Sequence, residues 1–497
     1  MAASRGISLL HGFLLSTLKF MAMANVASLL EEQSDSFSIL TSATDVAASV
    51  GAKVYVVGGY VRDALMKREL TDIDLMVVGD GIAFAEKLAP QIGSKKVVPF
   101  EKFGTAQIPV SGGIVEVASA RTETYEPDSR KPEVAEADLA ADLSRRDFTI
   151  NAMAVSLNEK EFGELHDPFN GVQDLNGGLI RTPLDPDDTF SDDPLRILRA
   201  VRFASQLDFK VDPKVIDSIR RQADRIEIVS SERVTAEIYK ILDSPVPSIG
   251  LDLLQKVGLM ELVLPEITAL YGLEQPSEWH HKDIFYHTLQ VVDNISENTD
   301  KTELRFAALL HDIGKPRTRR LHRKRGWTFH GHDAVGARMI DKLAKRMKLS
   351  NESRDYLKKL TALHLRPIAL AKEGVTDSAV RRLMMAVGDE VDDLMILCRA
   401  DITSKNPRLV KKYLGNFDRV EELMGDVVER DAFRAFQSPV RGAQIMEECG
   451  LGPGKTVGEI KTAIEEAILD GKIENSYEDA YRYFLEIKDE FLKNETG

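Results

Sequence analysis

Hydrophobic and polar positions follow two different periods along this chain, and the change of period divides it into two parts. Between about residue 38 and residue 155, short apolar runs of strand length are separated by stretches with helical spacing. The predicted strands are VYVVGG, DIDLMVVG, KKVVPF, TAQIPVSG and IVEVASA. After HDPFNGVQDLNGGLIRT the apolar spacing becomes helical and stays so. We therefore expect an α+β fold, in which a small mixed sheet precedes all-helical domains.

A chain of 497 residues is too long for one hydrophobic core and is expected to form several domains. The predicted parts are an N-terminal extension (1–37), a mixed-sheet head (38–180), a helical neck (181–265), a second helical domain (266–405) and a helical tail (406–497). The extension does not suit a membrane span, because polar residues break its apolar patches. It is either a presequence or an over-extended start, and we favour a dispensable extension on a cytoplasmic protein.

The composition is that of an ordinary globular protein, with 43% hydrophobic and 29% charged residues. A formal net charge of −14 argues against nucleic-acid binding driven by overall charge, although it allows a local basic groove. Cys398 and Cys449 are far apart and adjoin no metal-ligand spacing, which is typical of a protein in a reducing cytosol. Nothing in the sequence indicates a membrane association or an obligate protein partner.

Two aspartates in the second predicted strand carry the first candidate chemistry. Asp72 and Asp74 are two residues apart, so in a strand both carboxylates point to the same face. Paired carboxylates suit Mg²⁺, which commonly binds substrate phosphates as well, and two such ions can stabilise an in-line phosphoryl transfer. Glu116 on IVEVASA becomes a third candidate ligand if its strand adjoins this one; the alternative is a solvated edge residue.

Anion-binding groups surround this pair in the sequence. Gly58 and Gly59 end the first predicted strand, where backbone N–H groups of a turn can face a phosphate, and Arg62 follows with a guanidinium that can bind one bidentately. In SRRDFTINAMAV, polar residues precede a predicted apolar helix. Their functional interpretation places Arg145 and Arg146 on a triphosphate and Asp147 or Asn151 on ribose hydroxyls; Asp147 as a plain helix cap is the alternative.

A stripe of charged residues recurs every three positions in TFSDDPLRILRAVRFASQL: Asp193, Arg196, Arg199 and Arg202. The opposite stripe, Leu195, Leu198, Val201 and Phe203, is predicted to pack inward. A solvated face is the ordinary explanation of an arginine stripe. However, one carboxylate and one guanidinium at fixed spacing can accept the amine donor and ring-nitrogen acceptor of cytosine and adenine and reject guanine and uracil. Asp193 and Arg196 are the candidates for such a pair.

These segments resemble, in order, the motifs of the class II tRNA nucleotidyltransferases, the CCA-adding enzymes: GGYVRDALM…DIDL, RRDFTINAMAV, DPFNGVQDL, DDPLRILRAVRFA and SERVTAEIYKIL. The resemblance implies addition of C, C and A to the 3′ end of tRNA from CTP and ATP. It implies Mg²⁺ binding by Asp72 and Asp74, and a protein template formed by Asp193 and Arg196. The implied neighbouring groups are Gly59, Arg62, Arg145, Arg146, Arg199, Arg202, Glu232 and Arg233.

Two positions depart from the family pattern, since Asp192 stands where Glu is usual and Asn170 where Gly is usual. Asn tolerates a left-handed turn nearly as well as Gly, so we expect activity to be retained. Bacterial poly(A) polymerases share this head and are the main alternative, although they typically carry an arginine-rich strand at FGTAQIPV and a basic tail. Enzymes that add only CC or only A are also compatible with these motifs.

The second helical domain contains a set of histidines and aspartates on apolar helical patterns: His287, His311, Asp312, His332, His364 and Asp401. Imidazole and carboxylate together suit a transition metal such as Ni, Mn, Co or Zn. The order resembles the HD-type metal-dependent phosphohydrolases. Some bacterial CCA-adding enzymes carry such a domain, which in them removes 2′,3′-cyclic or 2′-phosphates. A structural metal is one alternative; another is an RNA-binding phosphohydrolase whose head only binds RNA.

Three polar stretches complete the sequence predictions. Residues 121–147 are expected to form a long loop, interpreted as a functional flap. Residues 317–333, RTRRLHRKRGWTFHGHD, are the most basic stretch and form either a solvated hairpin or a surface for RNA backbone. The tail resembles that of relatives with an HD domain, and Lys455 before a helix offers contacts for the body of tRNA; a plain loop–helix junction is the alternative.

Overall fold

The structure, a computed structural model, describes residues 25–493 except 32–33, 69, 71, 125–132, 277–280, 324–325, 372–375, 405 and 431–437. It contains two compact units, Met1–Pro265 and Glu266–Gly497. A mixed sheet in the first unit and helices elsewhere confirm the predicted α+β fold. In the parts of the chain that the structure describes, we find no helix with the length and apolar character of a membrane span.

A seven-stranded sheet forms the head, with strand order β3-β4-β5-β2-β1-β8-β9. Its strands are β1 (Lys53–Val57), β2 (Ile73–Val78), β3 (Val98–Phe100), β4 (Thr105–Val110), β5 (Gly113–Ser119), β8 (Ala154–Ser156) and β9 (Leu165–His166). β2 and β5 are parallel, whereas the other neighbouring strands are antiparallel. β1 and most of β2 are buried on both faces, since helices cover one side and an apolar cluster that includes Tyr55, Met76 and Leu143 covers the other.

The sequence predicted one segment of this sheet wrongly. INAMAV does not form an apolar helix. Thr149–Asn151 form a 3₁₀ turn, and β8 then pairs antiparallel with β1, Val155 lying opposite Val56. Because β1 offers an unpaired edge there, pairing satisfies the backbone groups of this short apolar run better than a helix of a few residues.

The predicted polar loop at 121–147 is also more ordered than expected. β6 (Arg121–Thr124) and β7 (Glu133–Glu136) form an antiparallel pair, and the helix Leu139–Ser144 follows. Asp138 caps that helix through a hydrogen bond from the Ala141 N–H. Residues 125–132, the tip of the predicted flap, lie outside the described residues.

The predicted N-terminal extension lies largely outside the described residues, but its last part belongs to the head. Asn25 Nδ2 donates to the Phe162 carbonyl, and the side chain of Leu30 is buried in the core. The predicted boundary at residue 37 cuts through the helix Ser34–Val50. Residues from Asn25 onward therefore contribute to the packing of the head.

Helices make up the remainder of the described chain. Those before residue 270 are Ala27–Glu31, Ser34–Val50, Gly59–Leu65, Gly81–Gln91, Leu139–Ser144, Gly171–Gly177, Pro186–Asp192, Leu195–Leu207, Pro213–Gln222, Ser231–Leu242, Pro247–Lys256, Leu259–Val263 and Pro265–Thr268. A short parallel pair, β10 (Leu179–Ile180) and β11 (Lys210–Val211), lies among them. The helix Leu195–Leu207 packs against Ser231–Leu242 and Pro247–Lys256, which makes it the centre of the predicted neck.

In the described residues of the second unit, two small antiparallel strand pairs occur among the helices. The pairs are β12 (Glu274–Pro276) with β13 (His281–Asp283) and β14 (Arg320–His322) with β15 (Gly326–Thr328). Its helices are Ile284–Ser296, Thr302–Leu310, Lys315–Thr318, His332–Met347, Asn351–Leu363, Arg366–Leu370, Asp377–Val387, Val391–Ala400, Pro407–Arg430, Gly442–Cys449, Lys455–Leu469 and Tyr477–Lys493. The last three of these share an apolar cluster around Ile464 and Phe484.

Candidate active site and metal centre

Three carboxylates meet at the head site because β2 and β5 are parallel neighbours. The register places Glu116 directly opposite Asp74, and Asp72 stands just before β2. Among the described residues, nothing donates a hydrogen bond to these three side chains or forms an ion pair with them. Burial raises the pKa of Asp74 to about 6, and the charges of Glu116 and Asp72 act in the same direction, while Arg146 opposes them. A cluster of carboxylates without a protein partner fits a divalent cation.

The glycine turn brings the phosphate-binding candidates to this cluster. Gly58 has φ 71° and ψ −133°, and the helix Gly59–Leu65 begins at the next residue. A Cβ atom on Gly58 would lie 3.0 Å from Arg146 Nη1 and 3.4 Å from Asp74 Oδ2. The close approach and the positive φ both require glycine here. The glycine turn, Asp74 and Arg146 therefore lie next to one another.

The two arginines before β8 share one buried anchor that the sequence did not reveal. Asp142, on the helix Leu139–Ser144, accepts hydrogen bonds from Arg145 (2.7 Å) and from Nε and Nη2 of Arg146 (3.1 and 3.0 Å). Burial would raise the pKa of Asp142, but the two guanidinium groups outweigh it and lower the pKa. Arg145 also donates to the Arg121 carbonyl. Arg146 is the one of the two that lies near Asp74, beside Gly58.

Arg62 is held more tightly than its predicted phosphate-binding role suggests. Its side chain is only 8% exposed. Nε and Nη2 donate to Asp63 over 2.9 and 2.6 Å, and Nη1 donates to Asn151 Oδ1 over 2.7 Å. These hydrogen bonds serve the fold. A grip on phosphate would use the remaining N–H groups and stays a prediction.

Asp147 and Asn151 are also engaged within the protein. Asp147 Oδ1 accepts from the Phe148 N–H and from Asn151 Nδ2, and Oδ2 accepts from Arg199 Nε over 2.7 Å. Burial would raise the pKa of Asp147, but Arg199 and Asn151 outweigh it and lower the pKa to about 2. The aspartate is thus a charged, buried hub. A ribose contact by Asp147 or Asn151 stays a prediction.

The arginine stripe is not a solvated face. Arg196 and Arg202 are each 9% exposed, and the Phe203 ring lies 4.2 Å from Arg202 Cζ, 5.5 Å from Arg199 Cζ and 5.1 Å from Arg62 Cζ. Arg202 Nε lies 3.0 Å from a carboxylate oxygen of the buried Glu237. Burial lowers the pKa of Arg202 to about 10, although Glu237 opposes this. Cation–π contacts and ion pairs together fix the guanidinium groups.

The predicted template pair stands at the start of the helix Leu195–Leu207. Asp193 Oδ1 accepts from the Leu195 N–H over 3.1 Å, and Oδ2 lies 3.3 Å from Arg233 Nη2. Arg196 Nη1 donates to the Thr189 carbonyl over 3.3 Å. Both side chains are therefore held by nearby groups, as a rigid reader of a base edge requires. Asn170, one of the two departures from the family pattern, adopts φ 59° and ψ 36° as a left-handed residue.

All six metal-ligand candidates of the second unit come together. Every histidine has its Nδ1 engaged outward, which turns Nε2 inward. The Nδ1 partners are Thr403 Oγ1 for His287 (2.8 Å) and the carbonyls of Ala308 for His311 (2.7 Å), Phe329 for His332 (2.8 Å) and Thr361 for His364 (2.7 Å). A carbonyl acceptor fixes the proton on Nδ1, so the Nε2 lone pair of a neutral ring is available to a metal.

The inward atoms form two groups that meet at Asp312. His287, His311 and Asp401 form one, and Asp312, His332 and His364 form the other. Asp312 touches both, because Oδ2 lies 3.1 Å from His311 Nε2 and Oδ1 lies 3.2 Å from His332 Nε2. His311 Nε2 is buried and makes no well-oriented hydrogen bond to the described residues, whereas Asp312 Oδ2 is paired with the Lys315 ammonium. This donor set fits one or two divalent transition-metal ions.

The charges of the cluster also favour a cation. Burial lowers the pKa of His311, but Asp312 and Asp401 outweigh it and raise the pKa to about 10. Burial together with the charge of His311 lowers the pKa of His364 to about 4. The two carboxylates therefore favour positive charge at this place, which a bound metal ion would supply.

Sequence reasoning missed two residues of this centre. Lys315 Nζ lies 2.6 Å from Asp312 Oδ2, and the Cys398 thiol donates to the His364 carbonyl. The spacing of three residues between Asp312 and Lys315 was a usable signal, since it places both on the same side of a helical turn. Cys398 gave no such signal, because its neighbour is 34 residues earlier.

Comparisons with known proteins agree with this arrangement. Sequence profiles match in three places: "Poly A polymerase head domain" at residues 54–181, "Probable RNA and SrmB- binding site of polymerase A" at 208–271 and "HD domain" at 284–406. The "Multifunctional CCA protein" of Shewanella frigidimarina (strain NCIMB 400) is 36% identical over 318 residues, which span 61% of this chain and 71% of that protein. The chain belongs to the CCA-adding enzyme family of tRNA nucleotidyltransferases.

Solved structures of CCA-adding enzymes share the fold. The apo form II of one matches with a TM-score of 0.61 and 23% identity, covering 93% of this chain and 98% of that one. A tRNA nucleotidyltransferase complexed with a primer tRNA and an incoming ATP analogue matches with a TM-score of 0.56 and 26% identity, covering 77% of this chain and 99% of that one. The head profile and the HD profile both match this chain. Together these two domains imply the use of divalent metal ions.

Proposed function

We propose that this chain adds C, C and A to the 3′ end of tRNA, without a nucleic-acid template, from CTP and ATP. The observation that carries the proposal is the partnerless carboxylate cluster of Asp72, Asp74 and Glu116, set against the glycine turn and Arg146. The family relationship supports the same activity.

The chemistry assigned to the head is attack by the tRNA 3′-hydroxyl on the α-phosphate of the nucleotide, with release of pyrophosphate. Asp72 and Asp74 would hold Mg²⁺, and Glu116 is the third candidate. When bound, Mg²⁺ lowers the pKa of the attacking hydroxyl and neutralises charge on the leaving group. The Gly58 turn and Arg146 orient the triphosphate, since both lie within reach of Asp74.

Base choice is assigned to Asp193 and Arg196. The Asp193 carboxylate accepts a hydrogen bond from the exocyclic amine of C or A, and the Arg196 guanidinium donates one to the neighbouring ring nitrogen. The Arg233 side chain holds Asp193 through an ion pair, and the Thr189 carbonyl holds Arg196. Guanine and uracil present donor and acceptor in the reverse order, which leaves buried polar groups unpaired.

Incubation with tRNA lacking its 3′ end and labelled nucleotides tests this function. We expect incorporation of CTP and ATP, rejection of GTP and UTP, and no addition by Asp72→Ala. Sequencing of the product 3′ ends separates CCA addition from addition of CC or A alone, and a long run of A would identify a poly(A) polymerase. Addition by Asp72→Ala at the wild-type rate would refute the assignment.

We also propose that the second unit is a metal-dependent phosphodiesterase or phosphatase using Ni, Mn, Co or Zn. The observation behind it is the convergence of four Nε2 atoms on Asp312 and Asp401. His287, His311 and Asp401 would hold one ion and His332 and His364 a second, with Asp312 between them. Lys315 would supply positive charge to a phosphate next to Asp312.

Hydrolysis of 2′,3′-cyclic AMP, before and after removal of metal, tests the second activity. Asp312→Asn should abolish hydrolysis and retain nucleotide addition, whereas Asp72→Ala should do the opposite. If only hydrolysis is found, the chain is an RNA-binding phosphohydrolase, our second candidate. If metal binds but nothing is hydrolysed, the metal is structural.

We also propose that the tail, residues 406–497, binds the body of tRNA, and that the enzyme works in the cytoplasm.

A further inference from the structure

A small hairpin carries the densest positive charge of this acidic chain. β14 and β15 pair antiparallel, with Arg320 opposite Thr328 and Leu321 opposite Trp327. Between residues 317 and 325 the sequence reads RTRRLHRKR, six of nine residues being Arg or Lys, in a chain whose formal net charge is −14. Lys324 and Arg325 lie outside the described residues. The strands on either side are described and carry the argument.

Both ends of the hairpin are joined to the metal centre. Before β14, the Lys315 ammonium lies 2.6 Å from Asp312 Oδ2. After β15, the Phe329 carbonyl accepts the Nδ1–H of His332, and the Phe329 ring lies 5.8 Å from Lys315 Nζ. A strand rises about 3.3 Å per residue, so the hairpin extends roughly 10–15 Å from the centre. A chain bound along it can therefore end at the metal ligands.

Three arginines in and next to the hairpin are exposed and have no acidic partner among the described residues. Arg317, Arg320 and Arg323 are exposed, and no carboxylate among the described residues forms an ion pair with them. Other arginines of this unit are neutralised, for example Arg346 by Glu266 and Arg382 by Asp470. An unpaired patch of like charge repels itself and favours a bound anion.

An apolar and aromatic surface lies on one face of the ribbon, where Leu321 is opposite Trp327, whereas Arg320 is opposite Thr328 on the other face. Leu321 is 69% exposed, and the Arg319 guanidinium stacks 3.8 Å from the centre of the Trp327 ring. Guanidinium groups bind phosphates bidentately, while aromatic and guanidinium planes stack on bases. An acidic peptide would use the charges but not the stacking surface. The combination favours a single-stranded nucleic acid.

We propose that this hairpin is the docking arm of the HD centre, which binds the single-stranded 3′ segment of an RNA and presents its terminal phosphate to the metal. The inference rests on the proposed phosphohydrolase activity and adds its substrate class: an RNA end rather than a free nucleotide. Trp327 with Arg319 supports a base on one face of the ribbon, and Arg320 on the other face, together with Arg323, binds backbone phosphates along its edge.

Kinetics on two substrates test the arm. The variant Arg320→Ala/Arg323→Ala is compared with Lys342→Ala/Lys345→Ala, which removes two exposed charges from the far part of the helix His332–Met347. The substrates are a short RNA ending in a 2′,3′-cyclic phosphate and 2′,3′-cyclic AMP, which is too small to span the hairpin. We expect KM for the RNA to rise about tenfold or more in the arginine variant, with kcat unchanged. The kinetic constants of the arginine variant on 2′,3′-cyclic AMP should stay within about twofold of wild type. The lysine variant should stay within the same range on both substrates.

Two kinetic outcomes would overturn the proposal. An unchanged KM for RNA would show that the arginines do not dock it. An equal loss on both substrates, in kcat, would show that the hairpin only supports the metal ligands.

A second measurement does not depend on hydrolysis. A short RNA with 4-thiouridine near its 3′ end is crosslinked to the full-length protein, and the modified peptides are identified by mass spectrometry. We expect crosslinks within β14 and β15 that are lost in Arg320→Ala/Arg323→Ala and retained in the lysine variant. Crosslinks only elsewhere, or retention on phosphatidylserine vesicles without RNA binding, would contradict the proposal. If wild type hydrolyses neither substrate, the proposed phosphohydrolase activity is wrong. The crosslinks then still test whether the hairpin binds RNA.

Discussion

Arg199 donates to Asp147 Oδ2 over 2.7 Å and so joins the helix Leu195–Leu207 to the turn that precedes β8, 52 residues earlier. The link continues, because Asn151 donates to Asp147 Oδ1 and accepts from Arg62. Arg62, a candidate for phosphate binding, and Arg199, on the same helix as Arg196, thereby belong to one hydrogen-bonded network. Such a network holds its members in place only while each charge stays paired.

Removal of Arg199 should destabilise the protein, because it leaves a buried carboxylate without its main partner. For Arg199→Met we expect a loss of about 2–4 kcal/mol in the free energy of unfolding of the first unit. Urea denaturation followed by a fluorescence probe in that unit measures it. The double variant Asp147→Asn/Arg199→Met should recover part of the loss. Additive losses in the double variant would show that the pair is not coupled.

The low pKa of Asp147 predicts how stability depends on pH. The folded pKa of about 2 lies below the ordinary value of 3.8, so ionised Asp147 contributes stability above about pH 5 and loses it as pH falls towards 2. The contribution is about 2 kcal/mol. Compared with wild type, Asp147→Asn should be less stable at pH 7, and the difference should shrink at low pH. A difference that does not vary with pH would contradict the assignment.

Gly58 should tolerate no side chain. For Gly58→Ala we expect at least a tenfold loss of nucleotide addition, because the new Cβ meets Arg146 at 3.0 Å and crowds Asp74. The positive φ adds about 1–2 kcal/mol of strain. Gly51→Ala is the matched control: Gly51 also has a positive φ, 69°, but a Cβ there has nothing within 4 Å. Stability should fall in both variants and activity only in the first; equal activities would show that strain alone matters.

Removal of the Asp74 charge should raise the stability of the metal-free protein and abolish its nucleotide addition. Its raised folded pKa, about 6, means that the ionised group destabilises the metal-free fold as pH rises through that value. Asp74→Asn should therefore raise the melting temperature of the metal-free protein at pH 8 while abolishing nucleotide addition. Added Mg²⁺ should stabilise wild type and not the variant. A variant that melts lower than metal-free wild type would show that Asp74 has a structural partner.

Metal content should depend on the histidines in two steps. If the two groups at Asp312 each hold an ion, His364→Ala should lose one of two metal equivalents and Asp312→Asn both. His330→Ala is the control, since His330 is exposed and next to the site in sequence. Metal analysis after dialysis measures the content. One equivalent in wild type, retained in His364→Ala, would indicate a single-ion centre.

Much of the fold was predictable because its signals are local. Runs such as VYVVGG and IVEVASA become strands since their apolar residues suit a buried sheet, and the change to helical spacing marks where the sheet ends. The helix predicted at INAMAV is wrong because five apolar residues and one Asn are too few to show a period of their own. Pairing with the edge of β1 makes its last residues, from Ala154, part of a strand.

The sequence by itself determined which chemical groups this protein has and their spacing along each element: the pair Asp72 and Asp74, the arginine stripe, and the ordered histidines and aspartates. Tertiary structure alone decided what those groups face. The register of β2 with β5 put Glu116 beside Asp74. Distant acids, Asp147 and Glu237, made the stripe a buried network instead of a solvated surface. The physical reason is that periodicity acts over a few residues, whereas burial and pairing join residues that are tens of positions apart.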